Sequence, residues 1–147
     1  MIIIQLFYVL FLAICASALV WGGKPEKAAV LILVPGFLLS MLAVSPLSQR
    51  FANVELGLFL VDSAMLTAFV ILALNAERYW PLWMSAMQAI QVISHLPIIF
   101  IPELLPQAYG AVIGIWSYPM LALLGIGTWR HRQRLKKFGA DKSWSNF

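Results

Sequence analysis

Five long runs of apolar residues dominate this chain, and they limit the folds that it can adopt. Each run is close to the roughly 20 residues that an α-helix needs to cross the ~30 Å hydrocarbon layer of a bilayer. The runs cover residues 2–21, 28–47, 56–74, 79–101 and 108–129. Short segments rich in Gly, Pro and charge separate them, as is typical of turns between helices. The sequence therefore predicts an all-α transmembrane bundle of five spans in residues 1–129, followed by a basic cytoplasmic tail in residues 130–147.

The composition supports a chain that faces lipid. Charged residues make up 11% of the 147 residues, whereas a soluble domain carries about 25%. The single cysteine, Cys15, excludes an internal disulfide and a multi-cysteine metal site. The motifs HExxH, CxxC, GxSxG and the P-loop are absent from the sequence, so we predict no catalytic residue, no metal and no cofactor. A non-enzymatic protein is expected, although a membrane enzyme or quinone site without a motif stays open.

The distribution of Lys and Arg predicts the orientation of the spans. These residues prefer the cytoplasmic side of a membrane, so the tail RHRQRLKK is placed inside. Five crossings put nine of the ten basic residues inside and leave Arg50 alone outside. In the alternative with four crossings the fourth run dips into the membrane, and three basic residues lie outside. We therefore expect the N-terminus outside and the C-terminus inside, with the first run as an uncleaved anchor.

Polar residues in the third and fourth runs form the candidate site. On a helix, Gln88, Gln91 and His95 fall within about 60° of one another, and such a stripe should face other helices. Asp62 lies in the third run, where a lone carboxylate costs several kcal/mol unless it is paired or neutralised. Asp62 and His95 each lie about six residues, or roughly 9–10 Å, from the outer end of their runs. We therefore predict that Asp62 contacts His95, with Gln91 nearby.

The polar stripe is compatible with three functions. Buried polar groups often join helices, at ~0.6 kcal/mol per hydrogen bond, and do nothing else. Alternatively, Asp62, Gln88, Gln91 and His95 form a site for a proton, an ion or a small molecule. Tyr118 could turn its hydroxyl towards that site, next to a kink expected at Pro119. The third possibility is a contact with another subunit.

The tail and the start of the fourth run predict contacts with lipid. Five basic residues would attract anionic headgroups at about 1 kcal/mol each, and nucleic-acid binding is not expected because anchoring explains the same charges. They are Arg130, Arg132, Arg134, Lys136 and Lys137. The last helix is predicted to continue to about Phe138 and to stop at Gly139. Tyr79, Trp80 and Trp83 are predicted to lie in the interfacial aromatic belt, with Pro81 in the first helical turn.

The segments ERYWPLWMSAMQ (77–88), SYPMLALLGIGTWRHRQRLKKFGADKSWS (117–145) and VELGLFLVD (54–62) are similar to small multi-span integral membrane proteins of bacteria. The resemblance covers most of the chain. It implies a shared membrane fold and a place in the bacterial inner membrane, and it implies no activity. We expect an accessory or scaffold subunit of a larger complex, with partner subunits or a homo-oligomer. The alternative is a small transporter or channel component that binds a proton, cation or small polar ligand at Asp62 and His95.

Overall fold

The computed structural model describes residues 2–44, 56–96 and 114–145, and these fold into five α-helices. They are α1 (Ile2–Trp21), α2 (Lys24–Ala43), α3 (Leu56–Asn75), α4 (Trp80–Ile93) and α5 (Ser117–Phe138). The described residues contain no β-strand, only an isolated bridge between Ala76 and Trp144. The all-α class predicted from the apolar runs is confirmed.

Two of the helices, α2 and α3, are long and apolar enough to cross a membrane. Helix α1 contributes a shorter apolar stretch over Gln5–Trp21. Helix α4 has 14 residues, which at 1.5 Å per residue span about 21 Å, less than the ~30 Å of a hydrocarbon layer. Length and composition therefore support two spans among the described residues, fewer than the five that the apolar runs predict.

The first residues of α2 show why this helix begins earlier than its apolar run. The helix begins at Lys24, within a segment that the sequence assigns to a turn. Pro25 lies in the first turn, where its missing N–H needs no partner. The Glu26 carboxylate accepts a hydrogen bond from the backbone N–H of Gly23 at 3.0 Å. Local capping thus extends the helix into the charged link, and residues 45–47 of the predicted run lie outside the described residues.

Helix α2 continues through Pro35, although a proline inside a helix removes one backbone hydrogen bond. The next residue, Gly36, faces α3, and a Cβ at this position would collide with the side chain of Met65. A small residue therefore lets α2 and α3 approach closely. Met65 and Asp62 lie three residues apart on α3 and line the same cavity, so both face the inside of the bundle.

The fourth run departs from the predicted helix. Helix α4 ends at Ile93, and a turn follows over residues 94–96. The Ser94 hydroxyl donates to the carbonyl of Ile90 at 2.7 Å, and Leu96 precedes a proline, which disfavours the α-helical conformation at that residue. The prediction that His95 lies on the helix is wrong, since it lies in this turn. Residues 97–101 of the predicted span lie outside the described residues.

Helix α5 begins after a turn at Trp116, so the helical path is interrupted near Pro119, as predicted. Pro119 falls in the first turn, where the missing N–H costs little. Residues 108–113 of the predicted span lie outside the described residues. At the other end, Gly139 adopts a left-handed φ of 71° and its N–H donates to the carbonyl of Leu135 at 2.9 Å. The predicted end of the helix at Phe138 is confirmed.

The polar ends of the helices meet at one end of the bundle. The guanidinium of Arg132 on α5 lies 4.8 Å from the ring centroid of Trp21 at the end of α1. The indole of Trp80, the first residue of α4, donates to Glu26 in the first turn of α2 at 3.2 Å. We call this region, residues 22–27, 76–80 and 130–142, the charged end. It contains every Lys, Arg, Asp and Glu of the described residues except Asp62.

The helices are apolar on their outer faces as well as in the core. The core is formed by buried residues of all five helices, among them Phe11, Ala18, Val30, Leu33, Phe69, Leu72, Met84, Leu121 and Leu124. Large apolar side chains are also exposed on the outside, including Val9, Leu31, Leu60, Leu74 and Trp129. A surface helix of a soluble protein carries polar residues on that face. The outer surface between the two ends of the bundle thus suits contact with lipid.

Candidate functional site

One buried carboxyl group, that of Asp62 on α3, binds three side chains. Its Oδ2 lies 2.9 Å from Nε2 of His95. Its Oδ1 accepts hydrogen bonds from the side-chain amides of Gln88 at 3.0 Å and Gln91 at 3.1 Å. The Gln88 amide also lies 3.2 Å from the backbone oxygen of Asp62. The contact between Asp62 and His95 that matched depths predict is therefore present, with both glutamines in the same cluster.

The arrangement follows from the packing of α4 on α3. Gln88 and Gln91 lie three residues apart on α4, so both side chains face the same neighbour. The turn after Ile93 carries His95 back to the level of Asp62. The rings of Phe59 and His95 pack in a T-shaped arrangement, with centroids 5.8 Å apart and planes at 81°. Asp62 is 3% exposed and His95 is fully buried, so water has little access to the pair.

The pair formed by Asp62 and His95 can hold and exchange a proton. A hydrogen bond between a carboxyl oxygen and an imidazole nitrogen needs one proton between them, and either atom can carry it. Buried acid–imidazole pairs of this kind serve as proton relays in membrane proteins. They also join helices. The groups next to the pair distinguish a proton relay from a contact that only joins helices.

The carbonyl oxygens of both glutamines have no hydrogen-bond partner within the described part of the chain. Both amide nitrogens donate to Asp62, so the oxygens must point elsewhere. The opposite orientation of either amide would place its oxygen against the carboxyl oxygen. Gln88 is 1% exposed, and a buried acceptor left unpaired costs about 1–3 kcal/mol. Unpaired buried groups of this kind are rare, and a bound molecule that donates hydrogen bonds would satisfy them.

A cavity of about 720 Å³ lies beside the cluster. Asp62, Gln88 and Gln91 form its polar part, together with the hydroxyl groups of Ser40, Ser117 and Tyr118, and four of the helices supply apolar and aromatic side chains around it. These are Phe7 and Phe11 on α1, Leu33 and Phe37 on α2, Leu58 and Met65 on α3, and Met120 and Leu121 on α5. The volume lies within the ≈ 300–1,000 Å³ of small-molecule sites, which are also mostly apolar with a few convergent polar groups.

Tyr118, the fifth residue predicted for this site, lines the same cavity. Its ring packs edge-on against Phe7, with centroids 5.1 Å apart. Phe11 and Phe37 lie next to them, with centroids 4.8 Å apart. Phe7, Phe11, Phe37 and Tyr118 form what we call the aromatic wall. The structure thus places the polar cluster and the aromatic wall around one space.

A second polar cluster lies at the charged end, and the sequence does not predict it. Asp141 follows the last helix. Its carboxylate oxygens lie 2.6 Å from Nη2 of Arg78, 2.7 Å from Nε of Arg134 and 2.5 Å from Nδ1 of His131. Burial opposes ionisation of this carboxyl, but hydrogen bonds from Arg134 and His131 and the charge of Arg78 outweigh burial. The pKa of Asp141 is therefore below its ordinary value of 3.8. Arg78 and Asp141 are 63 residues apart in sequence, so no local pattern indicates their contact.

Glu26 and Trp80 form the other part of the charged end. Glu26 is fully buried and accepts from the indole N–H of Trp80 and from the backbone N–H of Gly23. Trp80 is also buried, so its predicted place in the interfacial belt is wrong. Its neighbours Tyr79 and Trp83 are exposed, as that belt requires. A glutamate three residues after a helix-initiating glycine is a capping signal, and it could have indicated the role of Glu26.

The five basic residues predicted to contact headgroups have different environments. Four are exposed, namely Arg130, Arg132, Lys136 and Lys137, whereas Arg134 is partly buried against Asp141. Their contact with lipid stays a prediction. Among the described residues, no group of three or more His, Cys, Asp or Glu side chains is placed to hold a metal ion.

Comparison of this chain with protein-family models, curated proteins and solved structures finds no match. Its function must be inferred from the geometry of the two clusters.

Proposed function

We propose that this chain is a membrane-embedded transporter component that binds a small, largely apolar ligand in the cavity beside Asp62. Three features that lie next to one another support this function best. They are the buried pair of Asp62 and His95, the oxygens of Gln88 and Gln91 that lack a partner among the described residues, and a cavity of about 720 Å³. The accessory or scaffold subunit expected from the sequence shares the membrane location, but it accounts for neither the unpaired oxygens nor the cavity.

The proposed location is the bacterial inner membrane, crossed five times with the N-terminus outside. Two apolar helices of sufficient length support membrane insertion, as do the apolar outer faces of the others. The gathering of basic residues at the charged end supports a cytoplasmic position for that end. Asp62 then lies towards the outer side, so the ligand enters from the outer leaflet. Protease accessibility of tags on the two termini tests this topology.

The lining of the cavity restricts the chemistry of the ligand. Two amide oxygens accept hydrogen bonds, so the ligand should present a donor such as an ammonium or a hydroxyl group. The neighbouring carboxyl of Asp62 favours a cation and disfavours an anion. The aromatic wall suits an apolar body and stabilises a cation near the ring faces. The preferred ligand is therefore a small amine with an apolar or aromatic body.

Binding of such a cation is coupled to proton release. A positive charge held by the glutamine oxygens lies close to the pair of Asp62 and His95, and it repels the proton that this pair holds. The proton shared by the pair is then expected to leave. Exchange of a cation for a proton would make the cavity the central site of an antiporter.

Ligand selectivity provides the first test. Purified protein in lipid nanodiscs should bind 2-phenylethylammonium and 2-phenylethanol more tightly than phenylacetate, which has a similar body but carries an anion. Gln91→Leu removes one acceptor and is expected to weaken 2-phenylethylammonium binding about tenfold, since a hydrogen bond to a charged group contributes about 1.5–3 kcal/mol. Calorimetry measures both comparisons.

Thr67→Val is the matched control for this test. The Thr67 hydroxyl is exposed and donates only to a carbonyl of its own helix at 3.0 Å, so affinity should not change. Equal affinity for the ammonium and the carboxylate, or an unchanged affinity of the Gln91→Leu variant, would contradict ligand binding in this cavity.

Proton flux provides the second test. In proteoliposomes that contain a pH-sensitive dye, an imposed gradient of 2-phenylethylammonium should drive proton movement above the rate in protein-free vesicles. Asp62→Asn and His95→Ala are expected to slow this movement several-fold, because each removes one member of the pair that holds the proton. Ser94→Ala, next to His95 but bonded only to its own helix, is the control. Flux that is indifferent to both site variants would exclude transport through this pair.

A further inference from the structure

A second cavity, of about 380 Å³, lies at the charged end between the start of α4 and the last turns of α5. It shares no lining residue with the cavity beside Asp62. Three arginines line it, namely Arg78, Arg130 and Arg134. The remaining lining residues are aromatic or aliphatic apart from Gly127 and Glu77, and Glu77 pairs with Lys142 at 2.7 Å. The cavity therefore combines a basic floor with apolar sides.

Two of these arginines hold buried N–H groups that lack a partner among the described residues. Arg78 has a side chain that is 7% exposed, and its Nη2 binds Asp141 while its Nη1 donates to the carbonyl of Glu77. Its Nε is buried without an acceptor. Arg134 uses Nε to bind Asp141, and its Nη2 is buried without an acceptor. Buried charged donors left unpaired are costly, which indicates an acceptor that these atoms are arranged to bind.

The charge of the site favours an anion. Arg78, Arg130, Arg134 and Lys142 contribute four positive charges, and Glu77 and Asp141 contribute two negative charges. The balance of two positive charges suits an anion such as the phosphate group of an ester. Guanidinium groups bind phosphate oxygens through paired, charge-assisted hydrogen bonds, which makes arginine the common residue for this purpose.

The mouth of the cavity suits the surface of a membrane. Tyr79 and Trp83 are 84% and 62% exposed there, and Ile126 on α5 is also exposed. Amphipathic rings are enriched at headgroup level, where one edge is wet and the face is apolar. A phosphate among the arginines would carry its apolar portion past these side chains.

We propose that this cavity is a specific phosphate-binding site, for the phosphate of an anionic phospholipid headgroup or of a free phosphate ester. Arg78 and Arg134 donate to the phosphate oxygens from the floor, and Arg130 closes the site from the mouth. The site is separate from the proposed ligand cavity and does not depend on it. It also differs from a diffuse attraction between the basic tail and the membrane, because only two of the five basic tail residues line it.

The pair Arg130 and Arg132 distinguishes a site from diffuse attraction. Both are exposed basic residues two positions apart on α5, but Arg130 lines the cavity whereas Arg132 lies over Trp21 on another face. Native mass spectrometry of the full chain in a neutral detergent should show phosphatidylglycerol bound in preference to phosphatidylcholine. Arg130→Gln is expected to weaken phosphatidylglycerol binding about tenfold, and Arg132→Gln less than about twofold.

The source of the phosphate is settled by competition within the same experiment. Displacement of phosphatidylglycerol by millimolar inorganic phosphate or glycerol 3-phosphate would support a site that takes free phosphate. Retention of the lipid under those conditions, with the same difference between the two variants, would support a headgroup site. Equal losses in Arg130→Gln and Arg132→Gln, or equal binding of the two phospholipids, would overturn the proposal in favour of diffuse attraction.

Discussion

Asp62→Ala is expected to lower the free energy of unfolding by about 3–5 kcal/mol, the usual effect of removing one partner from a buried charged or polar pair. The substitution leaves the side chains of Gln88, Gln91 and His95 without the acceptor that they share. A simple sum of three intramembrane hydrogen bonds at ~0.6 kcal/mol each would give only about 2 kcal/mol. The larger value is expected because the amide of Gln88 and the imidazole of His95 stay buried after their shared partner is removed. Unfolding by sodium dodecyl sulfate in bicelles, followed by circular dichroism, measures the difference.

Two further variants show why Asp62→Ala lowers the free energy of unfolding. Asp62→Asn keeps the size of the side chain and one acceptor oxygen, so its loss should be clearly smaller than that of Asp62→Ala. Thr67→Val, on the same helix but exposed, should stay within about 0.5 kcal/mol of the wild-type protein. If Asp62→Ala is no more destabilising than Thr67→Val, the cluster does not hold α3 against α4.

The sequence predicts well those features that depend on neighbouring residues. Helices α1 and α3 agree with their apolar runs to within one residue, because run length and hydropathy are local properties. The end of α5 is equally local, since Gly139 supplies the left-handed conformation that stops a helix. Even the contact between Asp62 and His95 follows from local counting, because both residues lie at similar depths in consecutive runs.

Features that depend on distant residues could not be predicted in this way. The sequence around Trp80 predicts an interfacial aromatic residue. Its hydrogen-bond acceptor, Glu26, is 54 residues away, so no local pattern indicates their contact. The cavity beside Asp62 is lined by residues from all five helices, and no local sequence pattern reveals how these helices pack together. The length of α4 and the early start of α2 are local errors, and each had a visible signal, namely the proline that follows Leu96 and the capping residue Glu26.

Asp141→Asn is expected to lower the free energy of unfolding by about 2–3 kcal/mol at pH 7, because hydrogen bonds to charged groups contribute about 1.5–3 kcal/mol. The side chain of Asp141 is 5% exposed, and its carboxylate contacts three groups, Arg78, Arg134 and His131. An amide offers a single acceptor oxygen, and its NH₂ group would face a guanidinium. Denaturant unfolding measures the loss, and faster trypsin cleavage after Lys142 would report local release of residues 140–145.

The difference in unfolding free energy between wild type and Asp141→Asn should depend on pH, and this dependence shows whether the charge of Asp141 causes it. The pKa of Asp141 in the folded protein is below 3.8, its ordinary value, so its stabilising contribution is complete above pH 3.8 and is lost as the pH falls through the folded-state pKa. The unfolding free energies of wild type and Asp141→Asn should therefore converge in acid. Glu77→Gln breaks only the exposed pair with Lys142 and should cost less than about 1 kcal/mol. A difference that stays constant down to pH 3 would show that Asp141 acts through its shape and not its charge.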